Sequence, residues 1–228
     1  MCGRYILTAT PEELQALFGY IDADAFPPRY NIAPTQPIAI VRFVHGARRF
    51  ALVRWGLVPA WVEDPGAFPL MINARAETVL DKPAARHAMR YRRCLVPASG
   101  FYEWRRGPGR SKQPFCLRPP DGGAIAFAGL WETWRDRDGG EIDSACIVTT
   151  DSNREVRPIH DRMPVVVAAT DFETWLTGTT EEAAVLLRPP PDGSFEPLPV
   201  SQRVNAAAND DPGLIEPVPE DRDLFSSL

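Results

Sequence analysis

Hairpin-length breaks between β-branched and aromatic runs constrain this chain more than any other feature of its sequence. The runs Ile38–Val44, Arg49–Leu57, Arg93–Val96, Phe101–Trp104, Phe115–Arg118, Ala124–Glu132, Ile142–Thr149 and Val165–Ala168 read as strands. Between them stand His45-Gly46-Ala47, Arg106-Gly107-Pro108-Gly109, Pro120-Asp121-Gly122-Gly123 and Asp136–Gly140, which have hairpin length and turn chemistry. Neighbouring strands are therefore expected to pair antiparallel. Proline, at 24 of 228 residues, is about twice its usual share, which favours short elements and rigid turns over long helices. Thr10-Pro11-Glu12-Glu13 combines an N-cap, proline at the first helical position and a capping-box acid, and predicts a helix through about Phe18. Thr170–Glu173 and Thr179–Glu182 repeat the signature and predict helices near Asp171–Leu176 and Glu181–Leu187, the second stopped by Pro189-Pro190-Pro191. The expected fold class is α+β, mainly antiparallel strands in a barrel-like sheet with a few short covering helices.

At this length roughly 70–75% of the unfolded chain's surface can be buried, so no disulfide or metal staple is required. A single domain over residues 2–217 is expected, with 218–228 as an acidic, frayed tail. The apolar runs (Ile38–Val41, Ala124–Trp131, Pro164–Ala169, Ala183–Leu187) fall far short of a membrane span, and no apolar stretch follows the amino terminus as in a secretory signal. A cytoplasmic, reducing location is the expectation. Cys2, Cys94, Cys116 and Cys146 form no C-x-x-C pair, and the histidines are His45, His87 and His160. Free thiols, no metal and no cofactor follow from that spacing.

The net charge of -5 argues at face value against nucleic acid. The distribution of that charge points the other way. From Ala207 onward Asp210, Asp211, Glu216, Glu220, Asp221 and Asp223 face only Arg222, and the rest of the chain is balanced. Within 81–112 the sign reverses: Lys82, Arg86, Arg90, Arg92, Arg93, Arg105, Arg106, Arg110 and Lys112 face only Asp81 and Glu103. A basic stretch sits inside an acidic protein, compatible with a nucleic-acid contact or with an ordinary solvated face.

Four places carry chemistry. Cys2 follows the initiator methionine, so trimming of Met1 would leave a 1,2-aminothiol. An α-amine with a reference pKa near 7.7–8.0 is partly neutral at physiological pH and can attack a carbonyl; the adjacent thiol can then close a five-membered thiazolidine on the same carbon. A terminal thiol could also serve as a hydrolytic nucleophile, or Cys2 could be incidental. Asn73, Arg75 and Glu77 alternate, so on an extended segment an amide, a guanidinium and a carboxylate share one side. Glu103 lies among aromatics in Phe101-Tyr102-Glu103-Trp104, where apolar neighbours raise a carboxyl pKa and suit a general acid; a structural ion pair is equally compatible. His160 stands beside Asp161 and Arg162, as a proton-transfer group or a structural histidine. Trp55, Trp61 and Trp104 occur near polar or basic residues, a mixture that suits base stacking as well as core packing, whereas Trp131, Trp134 and Trp175 read as core.

Taken in order, Met1-Cys2-Gly3-Arg4-Tyr5, Arg29-Tyr30-Asn31-Ile32-Ala33-Pro34, Trp55-Gly56-Leu57-Val58-Pro59, Ile72-Asn73-Ala74-Arg75-Ala76-Glu77-Thr78, Phe101-Tyr102-Glu103-Trp104 and Ile159-His160-Asp161-Arg162-Met163-Pro164 resemble the SOS response-associated peptidase family. Val204-Asn205 and Leu214-Ile215-Glu216-Pro217 resemble its closing segment, so the likeness runs from Cys2 to about Pro217. The resemblance implies a monomeric DNA-protecting protein that captures abasic sites in single-stranded DNA as a covalent crosslink through Cys2, after autocatalytic or assisted loss of Met1. It implies that Cys2 supplies amine and thiol, Asn73 positions the sugar and the amino terminus, Glu103 is the general acid/base, and His160 assists sugar opening and Schiff-base chemistry. It also implies Arg4, Arg75 and Arg162 as phosphate contacts, Trp55, Trp61 and Trp104 as stacking or packing surfaces, and Pro34 as a wedge beside the lesion. The rival reading is an amino-terminal thiol hydrolase acting on peptide or amide bonds.

Overall fold

The computed structural model describes residues 2–22, 26–107 and 112–219. In chain order the elements are β1 (Tyr5–Leu7), α1 (Pro11–Phe18), β2 (Arg29–Ile32), β3 (Pro37–Val44), β4 (Ala47–Trp55), β5 (Asn73–Arg75), α2 (Pro83–Tyr91), β6 (Arg93–Ala98), β7 (Gly100–Arg106) and β8 (Lys112–Arg118). They continue as β9 (Ile125–Arg135), β10 (Glu141–Asp151), β11 (Arg162–Pro164), β12 (Val166–Val167), α3 (Phe172–Thr177), α4 (Thr180–Val185) and β13 (Glu196–Pro199).

The hairpin turns set the local order. His45 and Gly46 both take positive φ (52° and 78°), as a two-residue hairpin loop requires, and β3 pairs with β4 in unbroken register from Val44↔Ala47 to Pro37↔Arg54. Asp136–Gly140 likewise joins β9 to β10, from Arg135↔Glu141 onward. Antiparallel pairs then run β4–β3–β6–β9–β10, and β10 closes the ring by pairing parallel to β4 through Ser144↔Arg54 and Ala145↔Trp55. The result is a closed five-stranded barrel. A second sheet has the order β13-β8-β7-β1-β2. The chain crosses between sheets at Ser99-Gly100, where a side chain on Gly100 (φ 156°) would stand 2.6 Å from the Leu117 carbonyl oxygen.

Burial follows the alternation of the strands. Ile38, Ile40, Leu95, Phe127, Ile147 and their neighbours form one continuous core. Edge-to-face contacts of Tyr5 with Trp55 (centroids 5.3 Å apart) and Phe127 (6.1 Å), and of Phe101 with Phe127 (6.0 Å), fasten β1 and β7 to the barrel wall. All four cysteines are buried and free. Helix α1 begins with the expected capping box: Thr10 Oγ1 accepts from the Glu13 N–H (3.2 Å) and Glu13 accepts from the Thr10 N–H (2.8 Å). Thr179 and Glu182 open α4 in the same way. No helix among the described residues is long and apolar enough to cross a membrane.

Four local expectations need correction. Pro120–Gly123 does not close a hairpin: β7 and β13 occupy both edges of β8, β6 and β10 occupy those of β9, and the turn is a crossing between sheets. The run at Val165–Ala168 is split, because the Val165 N–H turns to Val148 O (2.9 Å) and its carbonyl accepts from Ala128 (2.9 Å), leaving β11 and β12 on either side. Helix α2 has no counterpart among the expected elements; its charged outer face hides the buried stripe Ala85, Ala88, Met89. Asn73 and Arg75 lie on a strand, but Glu77 lies beyond its end, in the turn closed by the Thr78 N–H bond to Arg75 O. Of the expected Arg106–Gly109 turn, Pro108 and Gly109 lie outside the described residues, although Arg106 pairs with Lys112. The acidic tail is likewise outside from residue 220 onward. Two acids just ahead of it are structural: Asp210 holds Arg29 and the Tyr30 N–H, and Asp211 pairs with Arg203 at 2.7 Å.

Candidate active site

Strand β10 is the organiser of the site. Its first half belongs to the barrel, while its second half is paired by β5 in parallel (Ile147↔Asn73, Thr149↔Arg75) and by β11 antiparallel (Thr149↔Pro164, Asp151↔Arg162). Asn73, Arg75 and Arg162 are thereby delivered to one end of one strand. From the other sheet, the Tyr102 N–H donates to Arg4 O (2.9 Å), extending the β1–β7 ladder and running Cys2 alongside Glu103.

Asn73 joins the two halves. Its Nδ2 donates to the backbone carbonyl of Cys2 at 2.8 Å, and its Oδ1 is buried with no hydrogen bond among the described residues. A buried acceptor left open at a strand end is an invitation to a ligand hydroxyl or amine. Cys2 itself is fully buried, with Sγ 3.9 Å from Arg4 O. Burial, reinforced by the Glu103 carboxylate, pushes its thiol far above the usual range.

Glu103 is 2% exposed, and burial pushes its carboxyl up to about 7. At neutral pH it is divided between acid and base. His160 is placed by the turn at 153–160, in which the Arg157 N–H binds Asn153 O and the His160 N–H binds Val156 O, both at 3.0 Å. Its Nδ1 accepts from the Arg162 N–H at 2.9 Å, so the neutral ring carries its proton on Nε2, which stands 3.9 Å from Glu103 Oε2. Partial burial lowers its pKa, favouring that neutral form, although Asp161 Oδ1 lies 3.1 Å from Nδ1.

Outside this pair lies a cleft of about 510 Å³ lined by Arg75, Thr78, His160, Arg162 and the acids Glu77, Asp151 and Asp161. Arg75 is exposed there. Arg162 forks onto Glu77 (2.8 and 2.9 Å), touches Asp151 (2.8 Å) and donates to Thr149 O (2.7 Å). Sequence reasoning misses Asp151, which nothing local distinguishes from an ordinary strand end. Arg4 is committed to Asn31 (2.8 Å) and Val204 O (2.6 Å), so it braces the closing segment. Trp55 is wholly buried, with Nε1 donating to Ile72 O at 3.0 Å, so of the two expected roles it fills packing. Trp104 is half-buried and donates to Asn205 (2.8 Å), whereas Trp61 is 60% exposed. Pro34 begins a turn in which Thr35 takes a left-handed φ of 72°, held by its N–H bond to Trp55 O (2.8 Å).

The family model described as "SOS response associated peptidase (SRAP)" matches residues 1–207. The chain belongs to the SRAP family. Within it, the chain is 35% identical over 222 residues to the "Abasic site processing protein YoqW" of Bacillus subtilis, covering 95% of this chain and 99% of that one. It is 28% identical over 260 residues to the "Abasic site processing protein HMCES" of Xenopus tropicalis, covering 93% and 77%. A crystal structure of a protein from Bacteroides thetaiotaomicron superposes with a TM-score of 0.86 at 25% identity, over 95% of this chain and all of that one. A phage-related protein of Bordetella bronchiseptica gives 0.71 at 31% identity, over 88% and 95%. The SRAP fold of these neighbours is the barrel and second sheet described above.

Proposed function

We propose that this SRAP protein processes abasic sites in DNA, and that it does so as a monomer by capturing the lesion in single-stranded DNA as a covalent thiazolidine through Cys2, once Met1 has been removed. The observation that carries the reading is the Asn73–Cys2 hydrogen bond of 2.8 Å, because it ties the one residue able to offer both amine and thiol, which the β1–β7 ladder runs alongside Glu103, to the strand end that carries Arg75.

The ring-opened abasic sugar presents an aldehyde; the neutral α-amine of Cys2 adds to it and forms a carbinolamine. Glu103, near half-protonated at pH 7, delivers a proton to the departing hydroxyl and water leaves, giving an imine. The Cys2 thiol adds across the C=N bond and its proton passes to the nitrogen, so aldehyde and aminothiol become thiazolidine and water. His160, with Nε2–H directed to Glu103, relays protons during sugar opening. An imine left open would hydrolyse or promote strand cleavage by β-elimination; closure by the thiol removes it. The thiol hydrolase reading fits less well, since burial holds the Cys2 thiol protonated and disfavours a thiolate-first attack.

The test is the intact mass of the protein after incubation with an oligonucleotide carrying one abasic site, against an undamaged strand and a Cys2→Ala variant. A single Cys2-dependent adduct on chains lacking Met1 is expected. No adduct on chains with a free Cys2 terminus overturns the reading.

A further inference from the structure

Two neighbours of His160 Nδ1 impose opposite requirements on it. The backbone N–H of Arg162 approaches at 2.9 Å and needs a lone pair there, which puts the ring proton on Nε2. Asp161 Oδ1, at 3.1 Å, is an acceptor and needs a proton there, which leaves Nε2 bare. The Arg162 carbonyl, at 3.3 Å, favours that second form too, and more weakly than a carboxylate does. The ring therefore stands between its two neutral tautomers.

The arrangement is held by the backbone. The His160 N–H is bound to Val156 O and the Ser152 N–H to Asp161 O, both at 3.0 Å, so ring and carboxylate ride on one anchored segment. The other acids of the cleft, Glu77 and Asp151, both pair with Arg162 at 2.8 Å, and Asp161 is the carboxylate set against Nδ1. Exposure rises in one direction along the line: the side chain of Glu103 is 3% exposed, that of His160 28% and that of Asp161 87%. A buried acid, a partly buried ring and an open carboxylate thus lead from the site to solvent.

We propose that Asp161 makes His160 a tautomeric proton relay connecting the buried Glu103 with solvent. Asp161 is a positioning residue: it acts by keeping the Nδ1–H form of the ring within reach. The inference rests on the abasic-capture reading for the proton that moves. Aldehyde and the ammonium form of the Cys2 amine become thiazolidine, water and one proton, and that proton is left on Glu103. In the Nδ1–H form the bare Nε2 takes it from the Glu103 carboxyl, while Nδ1 gives its own proton to Asp161, which sheds it to water. The ring ends in the Nε2–H form held by Arg162. Run backwards, the same exchange delivers a proton from solvent to the Glu103 carboxylate. The 3.9 Å between Nε2 and Oε2 is a resting separation of the kind that tightens when substrate closes the site.

The test has two readouts. The first is nitrogen NMR of the full chain carrying isotope-labelled histidine, at about pH 8, where the lowered pKa keeps the ring neutral, with His160→Gln assigning its resonances. Both ring nitrogens of His160 are expected at shifts between those of a protonated and a bare nitrogen. Asp161→Ala, at an exposed position that the fold tolerates, is expected to move them apart toward the Nε2–H form. The second readout is the single-turnover rate of adduct formation at about pH 7, where the Cys2 amine is mostly ammonium. Saturating oligonucleotide removes the tighter strand binding that loss of a cleft acid brings. Asp161→Ala is expected to slow the rate by about tenfold, the worth of one charge-assisted hydrogen bond. Asp161→Glu, which keeps the charge, is expected to restore the mixed tautomers and most of the rate. Unmoved nitrogen shifts in Asp161→Ala overturn the relay, and so do moved shifts with an unchanged rate. If chains with a free Cys2 terminus form no adduct while the shifts still move, the capture reading falls and the tautomeric switch stands.

Discussion

His160 Nε2 stands 3.9 Å from Glu103 Oε2, while the Arg162 N–H meets the other ring nitrogen at 2.9 Å and turns Nε2 toward the carboxyl. The pair joins a carboxyl raised to about 7 to an imidazole lowered by burial, so acid and neutral base coexist at physiological pH. Each member can be removed separately, and the two removals have different signatures.

Glu103→Gln keeps the shape and loses the titration. Adduct formation is expected to slow by about 10²–10⁴-fold. In the unmodified protein the rate should fall as pH rises through about 7, where Glu103 loses its proton, and this limb should vanish in the variant. Single-turnover rates by denaturing gel across pH check both.

The same substitution should stabilise the fold in alkali. Glu103 is raised from 4.5 to about 7 on folding, so the native state holds the proton more tightly than the unfolded chain. Its burial is harmless below the unfolded pKa, becomes costly as pH rises from there toward about 7, and stays costly above. The penalty is about 3 kcal/mol, so Glu103→Gln should gain stability of that order at pH 8 and none at pH 4. Urea denaturation at the two pH values measures the difference.

His160→Ala should remove the acid limb of the rate profile. Because burial lowers the imidazole pKa, that limb belongs below the ordinary histidine value of 6.5. An acid limb that persists unchanged in the variant would assign it to another group.

Glu77→Gln should tighten reversible binding of single strands by a few-fold, because the bidentate charge on Arg162 is then removed and the guanidinium, still held by Asp151 and Thr149 O, has one carboxylate fewer competing with a phosphate. The ion pair is partly exposed, which keeps the effect small. Titration of an undamaged oligonucleotide at two salt concentrations reads it, with a steeper salt slope in the variant.

Trp55→Ala and Trp61→Ala should divide stability from binding. Trp55 is fully buried, and its truncation is expected to cost about 3–5 kcal/mol. Trp61 is 60% exposed, and its loss should leave the urea midpoint nearly in place while weakening strand binding.

Short-range rules make the hairpins and helix starts readable, since His45-Gly46 and the two capping boxes act within a few residues of themselves. What escapes is long-range. Nothing near Pro120–Gly123 states that both edges of β8 and β9 are already taken, and nothing near Arg86 states that Ala85, Ala88 and Met89 have a wall to pack on. The same division holds at the site. Cys2, Asn73, Glu103 and His160 stand out by unusual chemistry in unusual neighbourhoods, and the fold pairs them as Asn73 with Cys2, by a hydrogen bond, and His160 with Glu103, at 3.9 Å. The clamp on Arg162 is invisible in the sequence, because Glu77 and Asp151 meet it only through the pairing of β10 with β5 and β11.

That pairing also dictates when reactivity can arise. Segments 73–75 and 147–149 meet in parallel across a long stretch of intervening chain, the kind of contact whose closure cost is met late in folding. A nascent or damaged chain can own every reactive side chain and still present a scattered set of them. Assembly of the site thus waits on closure of the barrel: Asn73 reaches Cys2 only in molecules whose β5–β10 ladder has formed.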